Sequence, residues 1–299
     1  MIARHWFPAV LIFSFLMGCA RFPLAPPQPG ITIPLHQETA LGEEAYREIL
    51  KHEQLSQDPQ LLKILNRVGG QLAAVSPMSH LNWEFALIES NERIAFALPG
   101  GKVAVTTGML PVCANEAGLA AVLSHQIAHV VARHGAERLP RSFRNSERGA
   151  ATPVGLLNSR NKNDILLALG VGQDRSMPFS QSHEIEADDL GMKLMVQAGY
   201  DPMEAFRFWN RINQMRRGSR VPEMLFTHPI DARRLEDLRR LLPKANRAYQ
   251  ANPLKHGLGQ SILYLLSRRK LMPKPNSLPQ PPAQPSVKTA PAPGTLFNP

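Results

Sequence analysis

Apolar positions along the chain recur at helical spacing in several blocks and at every second position in one. Glu43–Lys51 and Pro59–Val75 carry the helical period, and the second block opens with Asp58 as an N-cap and Pro59 at the first helical position. Between Asn82 and Ile88 the period falls to two, with Trp83, Phe85 and Leu87 alternating as in a strand. The stretch "RIAFALPGGKVAVTTGML", from Arg93, reads as a hairpin of two alternating strands around Pro99, Gly100 and Gly101. Asn115 then caps what the pattern predicts to be one long helix through "EAGLAAVLSHQIAHVVARHGAERL".

The period weakens from Pro140 to Pro178, where Ser, Arg, Asn and Gly surround one apolar segment, Ile165–Val171. This predicts a mobile connection of the kind that forms lids. Helical spacing returns at Glu184–Ala198; Asp201 and Pro202 start a further helix to Met215, and Asp231 begins a last, charged one. From Met272 onward proline, alanine, glutamine and serine dominate, a composition that predicts disorder. No internal repeat is present.

The start of the chain has a different logic. Arg4 precedes an apolar run, Trp6–Met17, that falls short of the about 20 residues needed to span a bilayer and suits the core of a signal peptide. It ends in "LMGC", which resembles a bacterial lipoprotein signal and implies cleavage before Cys19 and acylation of that cysteine; an uncleaved anchor helix is the alternative. Ala20 is not the aspartate associated with inner-membrane retention, which points to the outer membrane. The resulting division is a signal peptide at 1–18, a lipidated Pro-rich tether at 19–39, one domain at 40–250, a C-terminal extension at 251–271 and a disordered tail at 272–299.

Composition changes this picture little. The 299 residues can bury a full-sized core, and the apolar fraction of 43% is ordinary. The 34 basic and 24 acidic residues leave a charge of +10, spread in short clusters: Arg216, Arg217 and Arg220; Arg233 and Arg234 with Arg239 and Arg240; Arg268 to Lys270. With no zinc knuckle, RNP-like sequence or basic zipper beside them, these read as a solvated or membrane-facing surface, and nucleic acid is not expected as a partner. There are two cysteines; if Cys19 carries lipid, Cys113 has no disulfide partner and is expected to be buried.

The chemistry lies in "AVLSHQIAHVVARHG" and "FSQSHEIEADDLG". His125 and His129 are four apart and share one helical face, where both can reach one ion. Glu184 and Asp188 repeat that spacing on a second helix. A catalytic zinc keeps three protein ligands and an open position, and a metal-binding histidine usually donates its other N–H to a carboxylate. Glu184 suits the first role and Asp188 the second; the plain alternative is a solvated acidic face.

Taken with "ALPGGKVAVTTGML", "AGYDP" and "MLFTHP", these motifs resemble the gluzincin metallopeptidases of the HtpX, CAAX prenyl protease, Oma-type and BepA/LoiP-like periplasmic group, over Ala40–Tyr249. The resemblance implies an α+β fold: a mostly helical zincin-like metallopeptidase domain with a small sheet and an active-site helix. It implies one zinc per chain on His125, His129 and Glu184, a general base at position 126, and a supporting Asp188. His228 of "MLFTHP" is a candidate displaceable ligand, or a donor to the reacting carbonyl oxygen; a helix-start histidine beside Pro229 is the alternative. The strand Arg93–Leu98, with Ile94, Ala95 and Phe96, is expected to present an edge that binds substrate by strand addition; a covered strand is the alternative.

Two departures stand out. Ile94 replaces the asparagine that usually precedes "AF", and Gln126 replaces the glutamate that takes a proton from the attacking water. Glutamine matches the size and hydrogen-bonds, yet cannot accept that proton. The resemblance therefore implies a membrane-anchored zinc metalloendopeptidase scaffold of envelope quality control, at the periplasmic face of a bacterial outer membrane. Its substrates would be unfolded or misassembled envelope polypeptides, and its hydrolysis is weakened by Gln126. The alternative is a zinc-binding pseudoprotease that acts as a chaperone-like or adaptor lipoprotein. A basic structural lipoprotein without metal is a third reading.

Overall fold

A computed structural model describes residues 33–139, 162–171, 178–216, 221–258 and 261–271. The signal segment, Cys19 and the tail from 272 lie outside the described residues. The opening helix α1 (Leu35–Leu50) begins within the segment expected to be tether, because Pro34 stands at its N-cap and Glu38 in its first turn is buried against Arg133. Helix α2 (Pro59–Ala74) starts as its sequence dictates, with Asp58 Oδ1 accepting from the amides of Gln60 and Leu61.

Three strands follow: β1 (Glu84–Ile88), β2 (Ala95–Leu98) and β3 (Lys102–Thr106). The sheet order is β1-β3-β2, with β3 parallel to β1 and antiparallel to β2, so the sheet is mixed. The hairpin between β2 and β3 turns on Gly100 and Gly101, both at positive φ (81° and 79°), a region open to glycine at no steric cost. Alternation along the strands divides two apolar clusters. Leu87, Ala95, Ala97, Val103 and Val105 face the main core, whereas Ala86, Ile88, Phe96, Leu98 and Ala104 face a smaller core with Leu41, Ala45 and Tyr46 of α1. Both faces of the sheet are thus covered.

A short α3 (Leu110–Cys113) precedes α4 (Glu116–Val131), capped by Asn115 Oδ1 on the Gly118 amide. Every residue of α4 is buried, which makes it the central helix of the fold rather than an amphipathic surface one. The predicted long helix is in fact two. Arg133 adopts left-handed φ/ψ (58°, 30°), its guanidinium held by Glu38 at 2.6 Å and by the Ile33 carbonyl at 2.7 Å, and α5 (His134–Arg138) restarts in a new direction. Such a conformation costs about 1–2 kcal/mol outside glycine, and those two contacts offset it.

Helix α6 (Lys162–Ala168) lies inside the expected connection, whose remaining parts, 140–161 and 172–177, are outside the described residues. Ile165, Ala168 and Leu169 are buried in the smaller cluster. The main core is closed by α7 (Gln181–Gln197), α8 (Met203–Met215), a 3-10 turn at Glu223–Phe226 and α9 (Ala232–Ala251), started by Asp231 Oδ1 on the Arg234 amide. α9 is not the last helix: α10 (Ile262–Leu271) follows, and Ile262 enters the main core while its amide bonds the Ala114 carbonyl. Cys113 is fully buried, and burial pushes its thiol up to about 12. Among the described residues no helix is long and apolar enough to cross a membrane.

Candidate metal centre

Helices α4 and α7 cross closely at the centre of the molecule. Glycine permits this at position 191, where a Cβ would stand 3.1 Å from the backbone nitrogen of His125. The crossing brings the HxxxH face of α4 against the first two turns of α7, so four donor atoms converge. His129 Nε2 and His125 Nε2 are 3.1 Å apart, and His125 Nε2 is 3.3 Å from His228 Nδ1. Glu184 Oε1 is 2.9 Å from His228 Nδ1 and 3.4 Å from His129 Nε2; Glu184 Oε2 is 3.4 Å from His125 Nε2. All four side chains are buried, and together they could hold one metal ion.

The donor set fits zinc. Bonds of about 2.0–2.1 Å in a tetrahedron require ligand atoms about 3.3 Å apart; four of the separations here are 2.9–3.4 Å, and all the donor atoms lie within 4.8 Å of one another. Three imidazole nitrogens and a carboxylate oxygen are also the ligand types that zinc selects.

Around this centre the charges are paired. His125 Nδ1 lies 2.9 Å from Asp188 Oδ1, and Arg234 spans the Asp188 carboxylate with Nε at 2.7 Å and Nη2 at 2.9 Å. The same guanidinium touches Glu184 Oε2, donates from Nη1 to the Pro229 carbonyl at 2.9 Å, and lies over the Trp209 ring at 3.9 Å. The His125–Asp188 and Arg234–Glu184 approaches are ion-pair contacts without hydrogen-bond alignment at His125 Nδ1 and Glu184 Oε2. Burial opposes ionisation of both carboxyls, but Arg234 outweighs it: Glu184 is held well below the usual carboxylate range and Asp188 is lowered too. Burial drives the His129 imidazole well below its ordinary value, and it takes His134, aided by His183, down to about 3.

Gln126 is buried beside the same cluster, its side-chain amide 3.1 Å from His228 Nε2. His228 is fully buried, and its Nδ1 lies among the converging donors, 2.9 Å from Glu184 Oε1. Phe179, just ahead of α7, covers the other side, its ring centroid 4.1 Å from that of His129 and 5.1 Å from that of His228. The Arg138 guanidinium lies over this ring, 4.1 Å from its centroid.

Strand β2 passes nearby. A cleft lined by Ala97, Pro99, His129, Val130, Phe179 and Glu38 joins its end to the centre. The Thr106 amide donates to the Ile94 carbonyl, so Ile94, Phe96 and Leu98 bond across to β3 and the backbone groups of Ala95 and Ala97 point the other way. Among the described residues β2 pairs with no strand but β3, and its side chains are buried. Ile94 itself is held by Thr106, its amide donating to Oγ1 at 3.1 Å.

Sequence reasoning missed three residues here. From the sequence Arg234 reads as part of a solvated basic cluster, yet it is 2% exposed. Phe179 and His134 stood inside quoted motifs without a role. A buried pair of acidic residues demands a counter-charge, which was the available signal for Arg234.

Two helices that aim an HxxxH pair and an ExxxD pair at one point define a zinc-metallopeptidase class of site. The chain belongs to peptidase family M48, whose profile matches residues 59–242. It is 35% identical over 230 residues to the mitochondrial metalloendopeptidase OMA1 of Schizosaccharomyces pombe, covering 75% of this chain and 66% of that one. It is 32% identical over 241 residues to the beta-barrel assembly-enhancing protease of Escherichia coli, covering 75% and 46%, and 32% identical over 259 residues to that of Yersinia pestis, covering 81% and 50%. The chain thus spans about half to two thirds of the length of these relatives.

Proposed function

We propose that the chain is a zinc metalloendopeptidase scaffold acting in envelope protein quality control, with hydrolysis weakened by Gln126. The observation that carries this reading is the convergence of His125, His129 and Glu184 beside an edge of β2 that pairs with no strand among the described residues. Zinc, when bound, supplies Lewis acidity toward a carbonyl and acidifies water. The protein's part is positional. Asp188 and Arg234 hold His125 and Glu184 in place, and the backbone of Ala95 and Ala97 offers an extended polypeptide a strand to pair with. Backbone pairing tolerates many sequences, in keeping with unfolded or misassembled polypeptides as substrates. Family relatives named as enhancing beta-barrel assembly support an envelope setting. Acylation of Cys19 would fix the domain to the periplasmic face of the outer membrane.

Position 126 is where chemistry is lost. Its amide hydrogen-bonds but takes no proton, and general-base loss removes about 10²- to 10⁴-fold in rate. His228 completes a fourth donor position, and it is displaced or turned to the reacting oxygen when substrate enters. A second reading draws on the same pair: with His228 in the fourth position and Gln126 against its ring, the centre is closed as structural zinc sites are, which favours a pseudoprotease that holds polypeptide without cutting it.

One experiment separates the two. Gln126→Glu, zinc-loaded, is expected to hydrolyse an unfolded protein at least about 10²-fold faster than the wild type, with activity abolished by chelation. A Gln126→Glu protein that binds zinc and cuts nothing would make the pseudoprotease reading the better one.

A further inference from the structure

Helix α5 contributes a histidine to the edge of the metal centre that the converging donors do not include. His134 is fully buried, and the left-handed turn at Arg133 swings it back toward the last turn of α4. Its Nδ1 lies 2.9 Å from Nδ1 of His129, and its Nε2 lies 3.2 Å from Oε2 of Glu186. The His134 ring is edge-on to His129 at 4.9 Å and stacked on His183 at 4.3 Å, and His183 is itself tied to Glu137 at 3.1 Å. Packing on both sides therefore fixes the ring.

Donor and acceptor logic gives this chain a direction. An ionised carboxylate only accepts, so the proton on His134 that faces Glu186 sits on Nε2. The two Nδ1 atoms share a single proton at 2.9 Å, and with Nε2 of His134 already protonated its Nδ1 is the acceptor. The donor is then His129 Nδ1–H, which leaves the lone pair of His129 on Nε2. That is the atom 3.1 Å from His125 Nε2 and 3.4 Å from Glu184 Oε1, at the converging donors. Reversing the chain would set a bare nitrogen against the Glu186 carboxylate and aim an N–H into the donor cluster. Asp188 approaches Nδ1 of His125 to 2.9 Å as an ion-pair contact. The two histidines of α4 thus have different supports, a carboxylate for one and an imidazole backed by a carboxylate for the other.

We propose that His134, held by Glu186, is the positioning residue that fixes the tautomer and ring orientation of His129 for zinc. This rests on the zinc reading above. Partners of this kind typically change metal affinity by about 10- to 100-fold.

The test uses the full chain and three readouts: zinc affinity by competition with a chelator, thermal melting of the zinc-free protein, and the histidine tautomers by long-range ¹H–¹⁵N NMR. His134→Ala is expected to lose about 10- to 100-fold in zinc affinity. His134→Asn, whose side-chain oxygen can accept from His129, is expected to recover most of it. Glu186→Gln, which still accepts from His134, should stay close to wild type, and Glu186→Ala should fall between. In the zinc-free wild type His129 should carry its proton on Nδ1. Wild-type affinity in a folded His134→Ala protein, or a His129 protonated on Nε2, would overturn the proposal. If His134→Ala does not fold, the Glu186 pair and the wild-type tautomer decide it. A wild type that binds no zinc would instead remove the zinc reading, while the tautomer measurement would still report on the His134 contact.

Discussion

Helix α4 carries two sets of side chains that are equally buried and opposite in chemistry. In one set, Leu119, Val122, Leu123 and Ile127 belong to the same apolar cluster as Leu65, Val68 and Leu72 of α2, and stability there comes from apolar area removed from water. In the other, His125, Gln126 and His129 lie with Glu184, Asp188, His228 and Arg234, all within the protein interior. Burying such groups is costly unless each is paired, and the pairing found here is dense but confined to one geometry. One set therefore holds the fold up, and the other uses that stability to hold ionisable groups where water would otherwise scatter them.

Substitutions in the two sets and their partners should separate metal binding from stability. The largest effect is expected from Glu184→Ala, which removes a donor outright. Zinc affinity should fall by more than about 100-fold, beyond what loss of a supporting contact produces, as read by chelator competition. Full zinc occupancy in that variant would contradict the ligand assignment.

Arg234→Met comes next. It leaves Asp188 and Glu184 buried without their counter-charge, and breaking one partner of such a pair costs about 3–5 kcal/mol. Chemical unfolding of the zinc-free protein should show that loss, and zinc should restore part of it by supplying positive charge. In the apolar cluster, Leu72→Ala is expected to cost about 2–5 kcal/mol while the folded fraction keeps wild-type zinc affinity. A drop in zinc affinity there would blur the comparison. The smallest effect is expected from Asp58→Ala at the start of α2, about 1 kcal/mol from the lost cap, with zinc binding untouched.

Much of this division can be read from the sequence, and the unread part has a common cause. The four-residue spacings of His125 with His129 and of Glu184 with Asp188 are local, so one helix period suffices to find them. The hairpin is local too, since Pro99, Gly100 and Gly101 specify their own turn. What sequence reading loses is whatever depends on how the chain returns. The break at Arg133 rests on Glu38 and Ile33, about a hundred residues earlier, and the continuous apolar pattern runs straight through it. Arg234 sits among other arginines on a charged helix, and only the arrival of α7 beneath it makes it a buried counter-ion. The parallel pairing of β1 with β3 needs β2 to fold over as the outer strand, which no alternation pattern records.

The central claim is that His125, His129, Glu184 and His228 converge to hold one zinc. The most direct measurement is metal analysis of the purified full chain combined with X-ray absorption at the zinc edge, on the wild type and on His228→Ala. The account expects one zinc per chain, four nitrogen or oxygen ligands in the wild type with the outer-shell scattering of three imidazoles, and two imidazoles in His228→Ala. A wild type that retains no zinc, or a spectrum unchanged by His228→Ala, would contradict it.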